Sequence, residues 1–542
     1  MKKMKTKILL VLALLLLAGI YYYVTLPAIN IHSTGFWVFI VAVVVILLAL
    51  YAAKKRINTV QEIKQSKMMK VGVTAILAIV LVYVIGAVLS SPIVNAKKYR
   101  NLLDIEERDF TEDIKPSDFN QIPLLDKESA ALLGNRKMGS MVDMVSQFEV
   151  SDLYSQINYN GKPVRVTPLV YASPVKWFTN QAEGIPAYIM IDMATEDTTL
   201  VNLEKPIKYS QAEYFNRNIY RHLRFRYPTY IFDQLSFEIS DDGTPYWICP
   251  VKKFEIGLFG GQTIGRVVIC NAQTGECKDY TLKDCPTWVD RANPADLLIQ
   301  LYNYHGTLIN GYINSIFGQK GCLKSTDGFN YLAMEDDVWV YTGVTSVSGD
   351  RSNVGFVLMN QRTRETRYYK VNGAEEHSAM DSAEGQVQNL GYQATFPILI
   401  NVSNEPTYFM ALKDGAGLVK KYAMVNVQKY QVVAIGNTVS ECEENYNDLM
   451  YENGIKKQAE DTREVKTLSS KITKIAQGVV DGDSHFYIML EGSDDIFDVS
   501  VVDFIDIIKY NVGDTVTVEY KEGERANSVL SLNGEEPALS EE

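Results

Sequence analysis

Histidine and cysteine are scarce in this 542-residue chain, at five and six copies. His32, His222, His305, His377 and His485 stand isolated, and no cysteines are spaced C-x2–4-C, so the usual signature of a zinc site is missing. No G-x-S-x-G elbow marks a nucleophile. Ser173 and Lys176 fit S-x-x-K in form but have no convincing K-T-G partner. Gly260, Gly261 and Gly265 lead to no phosphate-loop lysine. The acidic groups Glu335-Asp336-Asp337, Asp481 with Asp483, and Asp494 with Asp495 lack calcium-loop spacing. The sequence therefore yields no catalytic, cofactor-binding or metal-ligating residues, and a non-enzymatic protein without a cofactor is expected. Long apolar runs are also missing from residues 91–542.

The first ninety residues are the opposite. Three uncharged apolar runs, residues 8–26, 36–53 and 71–89, are each close to the ~20 residues that cross ~30 Å of hydrocarbon as a helix. Tyr21, Tyr22, Tyr23, Phe36 and Trp37 suit an aromatic belt at the bilayer surface. Lys2, Lys3, Lys5 and Lys7 give the first run a signal-like start. It is long, however, ends in bulky tyrosines and lacks a small-x-small cleavage site, so an uncleaved span is expected. The loop after the second run holds Lys54, Lys55, Arg56, Lys64, Lys67 and Lys70 against Glu62, whereas residues 27–34 carry only His32. The positive-inside rule then puts the N-terminus in the cytoplasm and the large C-terminal body outside, on a multi-pass cell-membrane protein. Lys97, Lys98 and Arg100 argue the other way but are outnumbered. The body has 43 basic against 64 acidic residues, a net −21, which repels nucleic acid and anionic headgroups.

A motif recurs inside the body. Asn271, Thr274 and Glu276 follow the apolar residues 267–270, and Asn360, Thr363 and Glu365 follow 356–359, both as N-x-x-T-x-E. Asp192 and Thr195 follow 188–191 in the same way with acids replacing Asn and Glu, and Asn426 heads a degenerate fourth copy. An Asn or Asp that bonds the backbone two residues on, with Thr or Gly closing the loop, is hairpin-turn chemistry. Further turns are expected within residues 158–166, 238–248 and 401–409. Helices are expected upstream: through Met138, Met141, Val142 and Val145; from a capping box at Ser210 and Glu213; from Asn293 and Pro294; and from Ser378 to Gly391. Four helix-then-three-strand units result, near residues 125–205, 208–285, 293–372 and 376–438.

This order and the Asn/Asp hairpin resemble the PepSY module and the wider cystatin-like α-then-β fold, with residues 267–276 the best match. The resemblance implies extracytoplasmic interaction modules, linked with modulating peptidases or envelope sensing, with no catalytic residues to carry over.

After a capping box at Ser440 and Glu443 and a helix presenting Cys442, Tyr446, Leu449 and Met450, residues 469–532 alternate as a small OB- or SH3-like barrel. The expected fold class is α+β. Its parts are a three-helix membrane segment (1–95), a linker (96–124), two pairs of α+β units (125–285 and 286–438), a helical linker (439–465), a β-barrel (466–532) and an acidic tail (533–542). Cys270 and Cys277 bracket one repeat turn and are expected to face each other, as a disulfide or as free thiols; both readings stay open. The function expected is a membrane-anchored interaction or regulatory scaffold of a bacterial-type envelope. Its partners would be the bilayer and other envelope proteins, with no nucleic acid. A transporter accessory subunit and an envelope enzyme with a site formed only in three dimensions are the alternatives.

Overall fold

The computed structural model describes residues 16–57, 59–115, 122–123, 125–347, 352–455, 465–480, 483–521 and 526–534. The start of the first apolar run, with its lysines, and the tail beyond residue 534 lie outside them. The described chain divides into two units, Met1–Ile455 and Lys456–Glu542.

In the first unit, helix α1 covers Leu16–Thr25 of the first run. Two further helices, α2 (Thr34–Lys55) and α3 (Lys67–Leu89), are long and apolar enough to cross a membrane. Side chains such as Val38, Leu77 and Leu81 are more than half exposed, as lipid-facing residues are. Between α2 and α3, Thr59 and Glu62 cap a short helix, Val60–Gln65, in a capping box.

Four antiparallel sheets follow. Their strands are β1–β4 (Ser155–Tyr159, Lys162–Tyr171, Ile185–Asp192, Thr198–Ile207), β5–β8 (Ser236–Ile239, Pro245–Ile256, Gly260–Asn271, Cys277–Thr281), β9–β12 (Asn330–Met334, Asp337–Ser346, Gly355–Asn360, Thr366–Tyr369) and β13–β16 (Ile398–Val402, Glu405–Lys413, Val419–Asn426, Val433–Gly436). Each quartet pairs in sequence order as a meander. Within such a sheet successive side chains point to opposite faces, and here both faces are buried. Trp339 and Tyr341 of β10 pack with Tyr408 and Met410 of the fourth sheet, while Val340 and Val344 pack with Ile248 and Val267 of the second. Trp247 and Cys249 turn the other way, onto Val166 and Tyr188 of the first sheet. The sheets are thus layered face to face as the blades of a propeller.

A principal helix precedes each blade: α4 (Lys127–Gly139), α5 (Ile219–Arg226), α6 (Ala295–Thr307) and α7 (Glu376–Gln386). A last helix, α8 (Val439–Glu452), covers the free face of blade four with Cys442, Tyr446 and Met450. Blade four meets blade one through α4: Ser129 Oγ donates to the Gly417 carbonyl, and Lys413 pairs with Asp126. Glu106–Arg108, from the stretch between α3 and the blades, adds a parallel strand to the edge of blade three.

The repeated Asn/Asp motif is the joint between blades. Asp192, Asn271, Asn360 and Asn426 each accept the backbone N–H groups two and three residues on. Thr195, Thr274 and Thr363 accept the N–H two residues further. The next residue in each turn, Met193, Ala272, Gln361 or Val427, donates its N–H to the second strand of its own blade. The carbonyls of Ala272, Gln361 and Val427 then accept from Lys208, Asn293 and Ala374, on the segments arriving from the preceding blades.

Several expected boundaries change. Each unit has four strands, not three, so it is a blade instead of a three-stranded module. Ser210 and Glu213 open no helix: Glu213 is buried and accepts from Tyr171 Oη and Trp177 Nε1, and α5 starts later on an Asn218 cap. The helix expected through Val145 breaks after Gly139 and resumes as Val142–Val145. Asn293 does not cap α6, because its amide bonds the Gln361 and Arg362 carbonyls and Pro294 takes the cap position. Helix α7 begins at Glu376, ahead of Ser378. Thr438, not Ser440, caps α8, and Glu441 reaches back to the Asn437 N–H.

The β6–β7 hairpin packs against the N-terminal apolar helices. Ser90 Oγ, at the end of α3, accepts the N–H groups of Leu258 and Phe259, and the Leu258 carbonyl meets His32 Nδ1 at 2.7 Å. Arg224 of α5 donates to the Leu26 carbonyl, and Arg221 lies over the Tyr23 ring. At Gly260 a Cβ would stand 2.1 Å from the Ser90 carbonyl oxygen and 2.4 Å from Tyr99 Oη. Gly260→Val is therefore expected to unseat the hairpin, measured as faster tryptic cleavage at Lys97 and Lys98 in detergent-solubilised protein.

The second unit is a closed barrel of β17–β21 (Lys466–Val480, Asp483–Leu490, Ile496–Ser500, Thr515–Lys521, Asn527–Leu532) in the order β17-β18-β19-β21-β20. Strand β17 pairs with both β18 and β20, its register shifting between Ile472 and Lys474, and β19 runs parallel to β21. That five-stranded closure is OB-like. A 3-10 turn, Ile505–Lys509, lies between β19 and β20.

Candidate binding pocket on the blade axis

The inner edge of every blade is interrupted at one level. Short strands Phe148–Val150, Leu323–Ser325 and Gln393–Ala394 pair with the far ends of β2, β10 and β14, and β1, β9 and β13 take over after a few unpaired residues. In blade two a single bridge, Phe232 to Val251, does the same before β5. The four interruptions bring Leu153, Tyr154 and Ser155, Gln234 to Ser236, Phe329 to Tyr331, and Phe396 to one pocket of about 370 Å3.

Two guanidinium groups enter it. Arg165, on β2, is 5 % exposed and donates to the Leu125 carbonyl and to Gln156 Oε1. Burial pushes its guanidinium down to about 10, with Tyr331 opposing and the like charge of Arg291 adding to the fall; it stays charged at neutral pH. Arg291, on the segment between blades two and three, lies over the Tyr331 ring at 5.6 Å. Asp126, Lys127 and Asp296 complete the charged lining. Burial opposes ionisation of Asp126, but Lys413 and the Ser129 N–H outweigh it and hold its carboxyl below the usual range. Tyr154 is 6 % exposed, and its Oη has no partner among the described residues. Burial pushes that phenol up, so it stays a neutral donor. Three cations (Arg165, Arg291 and Lys127), two carboxylates and the rings of Phe329, Tyr331 and Phe396 line a pocket that suits an anion attached to an apolar or aromatic group.

None of the turn residues expected from sequence reaches this pocket: Asp192, Thr195, Asn271, Thr274, Glu276, Asn360, Thr363 and Glu365 stay at their own joints. Cys270 and Cys277 do face each other, opposite in register on β7 and β8, with sulfurs 2.8 Å apart and both thiols free. His222 joins them from α5, its ligand atom and both sulfurs lying within 4.8 Å of one another. Two thiolates on one tetrahedral zinc at about 2.3 Å would stand about 3.7 Å apart; at the observed spacing the pair fits dithiol chemistry better than a shared ion. Sequence reasoning missed Arg165, Arg291 and Tyr154. Their only signal is position, ahead of or beside the inner strand of a blade.

No family model matches the chain, and no curated protein does. Among solved structures, an exo-1,5-alpha-L-arabinanase from a bovine ruminal metagenomic library aligns over 71 % of this chain and 98 % of its own, at 11 % identity and a TM-score of 0.16. A B. megaterium levansucrase variant aligns over 78 % and 94 %, at 8 % identity and the same TM-score. Likenesses that low bear on neither fold nor activity.

Proposed function

We propose that this chain is a membrane-anchored, extracytoplasmic interaction scaffold of the cell envelope, without catalysis of its own, whose blade-axis pocket grips a carboxylate-bearing aromatic segment of a partner protein. The observation that carries this reading is the approach of Arg165 and Arg291. Two like charges lining one pocket repel, in a body of net −21, and a bound carboxylate relieves that repulsion.

Orientation follows from geometry and charge together. Residues 26–32 and Ser90 touch blade two, so they belong on the side of the body. The lysine-rich turn between α2 and α3 lies at the other ends of those helices, and positive-inside places it in the cytoplasm. Protease added to intact cells should then digest the blades and spare that turn; a body protected until lysis refutes the orientation.

The pocket is tested by thermal unfolding of the solubilised protein with short aromatic peptides bearing a free or an amidated C-terminus. Only the free acids should raise the Tm, through the ~2.7 kcal/mol of added stability expected at a hundredfold excess over Kd, and Arg291→Gln should abolish the rise. A rise with amidated peptides alone, or one unaffected by Arg291→Gln, sinks the reading.

A further inference from the structure

Blade two carries a second reactive site, outside the pocket lining. Asn271 N–H donates to the Glu276 carbonyl, so the next pair inward, Cys270 opposite Cys277, is a non-hydrogen-bonded pair. Side chains come closest at such pairs, with Cα atoms about 4.5 Å apart, within the range a disulfide spans without backbone movement. The two cysteines differ. Cys270 is fully buried against Trp247 and Cys249 in the core of blades one and two, whereas Cys277 is half-buried. The His222 ring sits beside Cys277, tilted against the Tyr209 ring with centroids 4.5 Å apart, with Nε2 held by the Gly275 carbonyl at 2.7 Å. Cys270 and His222, from two separate segments, are thus fixed beside the Cys277 sulfur, and the histidine is held by the Gly275 carbonyl.

We propose that Cys277 and Cys270 form a thiol–disulfide exchange site that reduces a disulfide of a small thiol or a partner protein, with Cys277 the attacking sulfur, Cys270 the resolving one and His222 positioning and stabilising the thiolate. The Cys277 thiolate attacks one substrate sulfur. A bond forms between the two, the substrate S–S bond breaks, and the other substrate sulfur leaves as a thiolate that takes a proton. Cys270 then loses its proton to solvent and attacks Cys277 Sγ. The protein disulfide forms, and the second substrate thiol departs. Two protein thiols are oxidised and one substrate disulfide is reduced to two thiols.

The electrostatics agree. The contact with Cys270 holds the Cys277 thiol below the usual thiol range, with His222 and Arg226 adding and burial opposing, while Cys270 is pushed up and keeps the shared proton. A nucleophilic thiolate beside a protonated partner is the arrangement that exchange requires.

The test uses the full chain in detergent. Oxidised glutathione should consume two of the six thiols and leave Cys270 and Cys277 linked, as read by peptide mass spectrometry. Cys270→Ser should stop at glutathione attached to Cys277, and Cys277→Ser should leave Cys270 unreacted. Iodoacetamide should alkylate Cys277 with a pH midpoint below the usual thiol range, and His222→Gln, which keeps a donor to the Gly275 carbonyl, should raise that midpoint by more than one pH unit. Three results overturn the proposal: persistent glutathione on Cys277 in the native protein, an alkylation midpoint above pH 8, or purified protein carrying one zinc per chain with both thiols protected.

Discussion

Asp290→Asn is expected to make the blades more stable above pH 7 and to flatten their pH dependence. Glu238, on β5, is fully buried and accepts the N–H groups of Asp290 and Arg291 and the Ser236 hydroxyl. Asp290 is 1 % exposed; its Oδ2 accepts the Asn158 N–H, and its Oδ1 has no partner among the described residues. Burial, only partly offset by these bonds and by Arg291, pushes the Glu238 carboxyl up to about 7. Burial and the Glu238 charge push Asp290 up as well, and Asp336 and Asp337 add to it. Both folded values lie above those of the unfolded chain, so the native state binds protons more tightly. Stability from this pair is therefore greatest in acid and falls as pH rises from the ordinary carboxylate range through the raised values of both groups. The full fall from Glu238 alone is on the order of 3 kcal/mol. Asparagine keeps the acceptor for Asn158, removes one of the two like charges and gives Glu238 a donor, so about 1–3 kcal/mol should return at pH 8 and little at pH 4.5. Urea unfolding of the solubilised protein at the two pH values reads this directly. A variant that is less stable at pH 8 and keeps the native slope contradicts the account.

The periodicities that were easiest to read are those with a local cause. The four turns at Asp192, Asn271, Asn360 and Asn426 are legible because a side-chain oxygen bonds backbone two and three residues away. The alternation of β10 is legible too, but not its meaning. Trp339 and Val340 are both apolar because each faces a different blade, and nothing local distinguishes that from a sheet with a helix on one side. Helix starts failed where a capping residue has a distant claim on it: Glu213 is taken by Tyr171 and Trp177, and Asn293 by the chain at Gln361. The pocket was illegible for the same reason on a larger scale. Arg165, Arg291, Tyr154 and Tyr331 come from three blades or their connectors, and only the closing of the ring gives them a common neighbour. His222 is likewise 48 residues before the first cysteine it touches.

Glu376→Ala should cost far more than a typical helix substitution, because this side chain ties blade three to blade four. Glu376 opens α7 and has no exposed surface. Its carboxylate accepts the Gly343 N–H at 2.6 Å, the Tyr341 hydroxyl at 3.3 Å and Asn353 Nδ2 at 3.3 Å. Asn353 also donates to the Tyr408 hydroxyl, which donates in turn to the Ala374 carbonyl ahead of the helix. Gly343 is required there: a Cβ would stand 2.3 Å from Asn353 Nδ2 and 2.5 Å from Glu376 Oε1. Truncation to alanine strands the Gly343 N–H and the Tyr341 hydroxyl in a dry interior and leaves a cavity beside them. Unsatisfied buried donors cost about 1–3 kcal/mol each, and breaking a buried charged network costs about 3–5 kcal/mol in all. Burial pushes the Glu376 carboxyl up, so a neutral replacement of the same shape is far milder. Glu376→Gln should lose only about 1 kcal/mol, since one oxygen still accepts from Gly343. The contrast is the measurement: urea midpoints of the two variants, followed by the fluorescence of Trp339 and its fellow tryptophans, should separate widely. Equal losses would mean that the space Glu376 fills matters and the bonds it makes do not.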